Sequence, residues 1–182
     1  PFSLAGERRD ASGVELDIIY RAVGTGTKWL AGVPTGAEWS VLGPLGNAFP
    51  IVETKPNAVL VGGGVGIPPM LYLARALHAA AKTTRAFCGV RSEHLLPLRA
   101  EGQAVRTDGQ PALCLREFTE SATPAVVASD DGTIGYEGLV SDALLHWLRT
   151  SGASHESLVA YGCGPEPMMR ALGDLCIELG IE

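Results

Sequence analysis

This sequence of 182 residues contains no long apolar run, no excess of basic over acidic residues and no closely spaced cysteines. No segment approaches the roughly 18 consecutive apolar residues that a membrane helix needs, so we predict no membrane span. Acidic residues outnumber basic ones by 20 to 14, and the net charge of −6 argues against a nucleic-acid partner, which would favour a basic face. The four histidines are scattered without the spacing of a metal site.

The four cysteines are Cys88, Cys114, Cys163 and Cys176. Cys163 and Cys176, the nearest two, lie 13 positions apart, whereas zinc and iron–sulfur sites both need at least one close pair. We therefore predict no metal site in this chain. Reduced cysteines of this kind are typical of a cytoplasmic protein.

The first 52 residues indicate β structure. Residues 14–20 alternate between polar and apolar side chains, and residues 38–42 predict another short strand before a turn rich in glycine and proline. Residues 28–30 make at most one or two turns of helix. This half is predicted to be all or part of a small antiparallel β-barrel. The strand-like start at residues 1–4 indicates that the chain is a fragment.

From about residue 57 the pattern changes to apolar strands that alternate with helices. This alternation predicts parallel βαβ units, and hence a doubly wound sheet of about five strands covered on both faces. The strands are expected at residues 58–61, 84–90, 103–106, 125–128 and 158–161, and the helices at about residues 69–81, 140–149 and 166–179.

A glycine-rich turn follows the first of these strands and consists of Gly62, Gly63, Gly64, Val65 and Gly66. Backbone N–H groups and the helix dipole at such a strand-to-helix turn favour an anion, and glycine lets a phosphate approach the backbone. The alternative is a tight turn in which small residues serve packing only. The spacing differs from the G-x-G-x-x-G fingerprint of standard dinucleotide-binding folds, so the residues alone leave both interpretations open.

A second turn, Gly162-Cys163-Gly164-Pro165, follows the last strand and repeats this chemistry. Both turns come at carboxyl ends of parallel strands, the edge at which open α/β sheets bind ligands. Cys163 either packs as a small apolar side chain, which is usual for a lone cysteine, or lies at the mouth of the site. Together the two turns favour a nucleotide site.

The stretches GGGVGIPPM at 62–70 and YGCGPEPMM at 161–169 resemble the pyridine-nucleotide lobe of the ferredoxin–NADP reductase superfamily. The resemblance implies that residues 62–66 bind the pyrophosphate of NAD, and that Cys163, Gly164 and Pro165 approach the nicotinamide ring beside a flavin. It also implies an FAD site in the first half, where three family segments are matched by Pro1, Phe2 and Ser3, by Ile19, Tyr20 and Arg21, and by Gly26 and Thr27. Without the resemblance, Tyr20 would be interpreted as a strand aromatic and Arg21 as a surface charge.

Segments spread over nearly the whole chain narrow the match, namely residues 18–49, 88–98, 130–142 and 161–169. They are similar to the electron-transfer subunits of dihydroorotate dehydrogenase B, which act in pyrimidine biosynthesis. This resemblance implies a hetero-oligomer in which FAD and a [2Fe-2S] cluster link NAD to the FMN of a catalytic partner subunit. It implies an FAD-binding barrel at residues 1–52, with its amino end missing, and an NAD-binding domain at residues 57–182.

The cluster ligands of that family lie in a C-terminal module with closely spaced cysteines. This chain does not contain such a module, so either it is truncated at both ends or this member of the family lacks the cluster. The missing amino end of the barrel favours truncation. Two other functions stay open. One is an NAD(P)H reductase for another acceptor, either stand-alone or of the hydrogenase and sulfide dehydrogenase type, and the other is a non-redox module that senses NAD. Arg91 would attract the 2′-phosphate of NADP, whereas the resemblance favours NAD.

Overall fold

The amino-terminal part of the protein contains one β-hairpin and one short helix. In the computed structural model, which describes residues 2–182, strands β1 (Gly6–Asp10) and β2 (Gly13–Asp17) pair in antiparallel fashion. The carboxylate of Asp10 accepts hydrogen bonds from the backbone N–H groups of Ser12 and Gly13 and so closes the turn. Helix α1 (Thr25–Ala31) follows, as the predicted turn or two of helix.

Two strand predictions in this part need correction. The strand expected at residues 14–20 ends at Asp17, and Ile19 instead packs against the core of the second half of the chain. Residues 38–42 were expected to form a strand and have no regular secondary structure, so that prediction is wrong. A strand is stable only when another strand pairs with its backbone, and within residues 2–182 no segment pairs with this one.

Five parallel strands form the central sheet of the second part. They are β3 (Asn57–Gly63), β4 (Thr83–Val90), β5 (Ala125–Ser129), β6 (Tyr136–Glu137) and β7 (Leu158–Cys163), and their order across the sheet is β6-β5-β4-β3-β7. An antiparallel β part followed by a parallel α/β part confirms the predicted fold class. The strand expected at residues 103–106 is wrong, however, because residues 103 and 104 lie in a turn in which Ala104 N–H donates to Glu101 O over 2.7 Å, and residues 105 and 106 have no regular secondary structure. The strand that completes the five in its place is β6, which the sequence did not predict.

Helices cover both faces of the sheet, as predicted. Helix α2 (Ile67–Ala79) lies on one face, and helices α3 (Val140–Thr150) and α4 (Glu166–Leu179) lie on the other. Alternation along β3 divides its side chains between two cores: Leu60 packs with α2, whereas Val59 and Val61 pack with α3 and α4. None of the helices in the described residues is long and apolar enough to span a membrane.

The ends of the helices follow from proline and glycine. Pro68 lies in the first turn of α2 and Pro167 in the first turn of α4, where a missing N–H costs no helical hydrogen bond. Gly180, at φ +65°, ends α4 in the left-handed conformation that glycine adopts most easily. The predicted bounds of α4 are confirmed, and α2 begins two residues earlier than expected.

Candidate functional site

The two glycine turns are in direct contact at the carboxyl edge of the sheet. Strands β3 and β7 are neighbours, and their register pairs Gly62 with Cys163. After β3 the chain makes one short turn of 3-10 helix, Gly64–Gly66, and then enters α2. After β7 it passes through Gly164 and Pro165 into α4. The structure therefore brings together the two segments that the sequence predicts for the nucleotide.

Most glycines of the first turn are required by packing. A Cβ atom on Gly66 would collide with the backbone carbonyl of Cys163, and it would lie 2.9 Å from the backbone nitrogen of Gly164. A Cβ on Gly63 would lie 2.6 Å from Met168 Sδ, and one on Gly62 would lie 2.8 Å from Ile67 Cα. Packing therefore requires glycine at these three positions, and their predicted contact with a nucleotide stays a prediction.

Gly64 and Val65 differ from their neighbours because they face open space. Gly64 has φ +54°, and a Cβ built on it would have no atom within 4 Å. Val65 is 55% exposed. Packing therefore does not require glycine at position 64. Glycine is favoured there because the backbone is left-handed and because the absence of a side chain leaves the backbone open to a ligand. The open position is where a phosphate would reach the chain.

The electrostatics at this position suit an anion. The turn leads into α2, a helix of 13 residues whose first turn contains no acidic side chain. Pro68 and Pro69 have no N–H group, and the N–H of Ile67 donates to Gly64 O within the turn. The amides that remain for a ligand at the start of the helix are those of the glycine turn itself.

Cys163 lies half-buried at the end of β7, where its side chain packs against the core beneath α2. Burial raises the pKa of the Cys163 thiol, so the side chain is neutral at pH 7. Cys88 and Cys114 lie deep in the same core, and burial raises the pKa of Cys114 to about 11. Among the described residues, no group of three or more His, Cys, Asp or Glu side chains is arranged to hold a metal ion.

Only some of the residues expected to contact FAD come together. The rings of Phe2 and Tyr20 pack edge to face with centroids 5.6 Å apart, while Ser3 and Arg21 are exposed. Pro1 lies outside the described residues. Ile19, next to Tyr20, turns into the core beneath α2.

Gly26 and Thr27 lie in the first turn of α1. The Thr27 hydroxyl accepts hydrogen bonds from the N–H groups of Val23 and Gly24, both over 3.0 Å, and so stabilises the start of this helix. A Cβ on Gly26 would meet nothing within 4 Å. The contacts of these two residues with a cofactor stay predictions.

Three residues that shape this region were not singled out from the sequence. Met168, in α4, has its side chain against the position that a Cβ would take on Gly63 and on Gly164. Lys82 and Tyr161 hold the segment that leads to β3. Their partners are backbone carbonyl and N–H groups, which give no signal in the sequence.

Comparison with known families decides the kind of protein. The oxidoreductase NAD-binding domain family matches residues 60–174, which include both glycine turns. This chain belongs to that family. The NAD-binding oxidoreductase domain is also similar to the electron-transfer subunits of dihydroorotate dehydrogenase B (NAD+) from two bacteria. The subunit from Lysinibacillus sphaericus is 35% identical over 94% of this chain, and that from Bacillus cereus is 38% identical over 87%.

This chain spans 58% of the length of the relative from Lysinibacillus sphaericus and 53% of the length of the relative from Bacillus cereus. A solved NADH-dependent reduced ferredoxin–NADP oxidoreductase covers all of it, with a TM-score of 0.75 and 27% identity, and this chain covers 57% of that structure. A cytochrome P450 reductase from Amycolatopsis also covers all of it, with a TM-score of 0.68 at 21% identity, and shows the fold. The resemblances found in the sequence are confirmed.

Proposed function

We propose that this chain is part of a flavin-dependent electron-transfer subunit, which passes electrons between NAD and the FMN site of a catalytic partner. The observation that supports the proposal is the contact between the two glycine turns, in which Gly66 lies against Cys163 while Gly64, two residues earlier, faces open space. The similarity to electron-transfer subunits of dihydroorotate dehydrogenase B supports the choice of partner and of dihydroorotate as the substrate oxidised there.

In this proposal residues 57–182 are the NAD-binding domain. The pyrophosphate would lie over Gly64 and Val65, since a Cβ on Gly64 would meet no atom within 4 Å and Val65 is exposed. Gly62, Gly63 and Gly66 allow the second turn to come close, so that Cys163, Gly164 and Pro165 border the nicotinamide. The neutral thiol of Cys163 gives an uncharged contact, and transfer of a hydride requires no acid or base from the protein.

Residues 1–52 are proposed to bind FAD. Phe2 and Tyr20 fit an aromatic cofactor, because their edge-to-face pair leaves Phe2 48% exposed. The exposed Arg21 offers charge to a pyrophosphate. When bound, FAD would supply the two-electron redox chemistry with NAD, and Phe2, Tyr20 and Arg21 would hold it.

The cellular setting follows from the same proposal. The chain would act in the cytoplasm in a hetero-oligomer with the FMN-containing catalytic subunit, and the four free cysteines are typical of a reducing compartment. A [2Fe-2S] cluster between FAD and FMN stays a prediction, as does NAD rather than NADP.

Purification of the full-length protein, alone and with the catalytic subunit, tests this function. We expect flavin absorbance that NADH bleaches without oxygen, together with iron–sulfur bands and a stable complex with the FMN subunit. Flavin bleaching without complex formation would instead favour a reductase for another acceptor, in line with the similarity to the NADH-dependent ferredoxin–NADP oxidoreductase. A colourless protein that still binds NADH would overturn the redox assignment in favour of a sensor.

Alkylation of Cys163 tests where the nicotinamide lies. NADH at about ten times its dissociation constant should slow the reaction of Cys163 with iodoacetamide by about 10-fold, since the bound form hides the thiol. Cys176 is the internal control: it is also half-buried, burial likewise raises its pKa, and it lies in the last turns of α4, whereas the glycine turn lies at the start of that helix. Mass spectrometry of the labelled peptides measures both rates.

The pH dependence gives a second check on the same reaction. Because the pKa of Cys163 is raised, the reactive thiolate is scarce at pH 7, and its fraction grows about tenfold for each pH unit below the pKa. Alkylation should therefore accelerate steadily from pH 7 to pH 9. Equal protection of Cys163 and Cys176 by NADH would place the nicotinamide elsewhere.

A further inference from the structure

The segment between the two parts of the chain is fastened to the sheet by side chains of the second part. Lys82, on the short connection between α2 and β4, donates from Nζ to three backbone carbonyls of this segment: Val52 O over 2.9 Å, Glu53 O over 2.8 Å and Lys55 O over 2.9 Å. An ammonium group has three N–H donors, so all of them are used on one segment of four residues.

Tyr161 holds the preceding residues of the same segment. Its hydroxyl donates to Pro50 O over 2.8 Å and accepts from Val52 N–H over 3.3 Å, and the ring of Phe49 packs against its ring with centroids 6.0 Å apart. Tyr161 itself is buried in the core beneath α2, to which Val52 also contributes. The segment therefore covers the face of β7, the strand at one edge of the sheet.

These contacts lie between the two predicted cofactor regions. Tyr161 is two residues before Cys163 on the same strand, so both side chains are directed to the same face of the sheet. Ile19, from the first part of the chain, packs against the same core and is followed by Tyr20, which contacts Phe2. Residues 50–55 connect the part of the chain that carries the Phe2–Tyr20 pair to the sheet that carries Cys163, so their position bears on how the pair lies relative to Cys163.

We infer that Lys82 and Tyr161 are positioning residues, which hold residues 50–55 against the sheet and thereby fix the spacing between the aromatic pair and Cys163. The inference rests on the proposed function for the meaning of that spacing. Transfer of a hydride depends steeply on the distance between donor and acceptor rings, so a loosened segment slows transfer without removing either binding surface.

Lys82→Met and Tyr161→Phe in the full-length, flavin-loaded protein test this inference. Lys82→Met keeps a long apolar side chain and removes all three hydrogen bonds, while Tyr161→Phe keeps the ring and removes two. We expect reduction of the flavin by NADH to slow about 10-fold in Lys82→Met and by a smaller factor in Tyr161→Phe. The NADH dissociation constant should stay within about two-fold of the parent, because neither side chain lies in the glycine turns.

Limited proteolysis gives a readout that does not depend on flavin chemistry. A glutamate-specific protease should cut after Glu53, which is exposed, about 10-fold faster in Lys82→Met than in the parent, because the cut requires local release of the segment. Arg149→Met is the matched control, since it removes the same charge from an exposed position on α3. It should change neither rate.

Parental rates of cleavage and of flavin reduction in both variants would overturn the inference. Faster cleavage at sites throughout the chain, with weaker NADH binding, would also overturn it, since that pattern indicates general loss of stability. If the parent protein binds no flavin, the proposed function fails and the part of the inference that concerns spacing fails with it. Cleavage after Glu53 then still decides whether Lys82 anchors the segment.

Discussion

Replacing Gly64 by alanine should weaken the binding of NADH by about 100-fold, which corresponds to about 2.7 kcal/mol. The new methyl group would project into the open space above the turn, where no atom of the protein lies within 4 Å, and would keep a phosphate from the backbone amides. Calorimetric titration of NADH into the flavin-loaded protein measures the effect. Flavin content should not change, because the predicted FAD residues lie in the first half of the chain.

Backbone strain accompanies this substitution and needs its own control. At φ +54° an alanine costs about 1–2 kcal/mol of folding stability. Gly152 offers a matched position, since it has φ +67°, no atom within 4 Å of a Cβ, and a place in the loop after α3. Gly152→Ala should lose similar stability and bind NADH normally. Equal NADH affinity in the parent and in Gly64→Ala would show that the phosphate does not bind at this turn.

Gly66→Ala should lower the free energy of unfolding by about 3 kcal/mol, for a reason unrelated to ligand. Gly66 has φ −83°, which alanine adopts without strain, so the whole effect comes from the collision of the Cβ with the carbonyl of Cys163. That atom belongs to the backbone and cannot rotate away as a side chain would. In a protein of this size the melting temperature should fall by about 6–12 °C.

Gly173→Ala is the control for Gly66→Ala, because the same change is expected to have the opposite sign there. Gly173 lies within α4, and a Cβ on it meets nothing within 4 Å. Alanine is a better helix former than glycine by about 1 kcal/mol, so this variant should melt higher than the parent. A loss of less than about 1 kcal/mol in Gly66→Ala would mean that the two turns separate easily.

Elements of this fold that are set by local signals could be predicted from the sequence, whereas elements that depend on pairing between distant segments could not. Helix α4 was predicted with its bounds because proline near its start and Gly180 at its end are local signals. Residues 38–42 and 103–106 have apolar residues typical of strands, but pairing depends on distant segments that a local pattern does not contain. Strand β6 was missed because it has two residues, held by pairing with Ala128 and Ser129.

The candidate site was predictable in part for the same reason. The rule that parallel strands present their carboxyl ends at one edge was enough to place both glycine turns on the same side of the sheet. The sequence did not show that β7 lies beside β3, and it did not separate Gly64 from Gly66, whose roles differ only because one faces solvent and the other faces Cys163. The three carbonyl partners of Lys82 were equally invisible, since every residue has a carbonyl.

The position of β7 beside β3 also has a consequence for biosynthesis. Gly62 and its partner Cys163 are about a hundred positions apart, and ribosomes add about 5–20 residues per second. The first turn is therefore made about 5–20 seconds before the strand that it packs against. During that interval β3 has an unpaired edge, which other chains could bind. The contact between the two turns is completed only when nearly all of these residues have been synthesised.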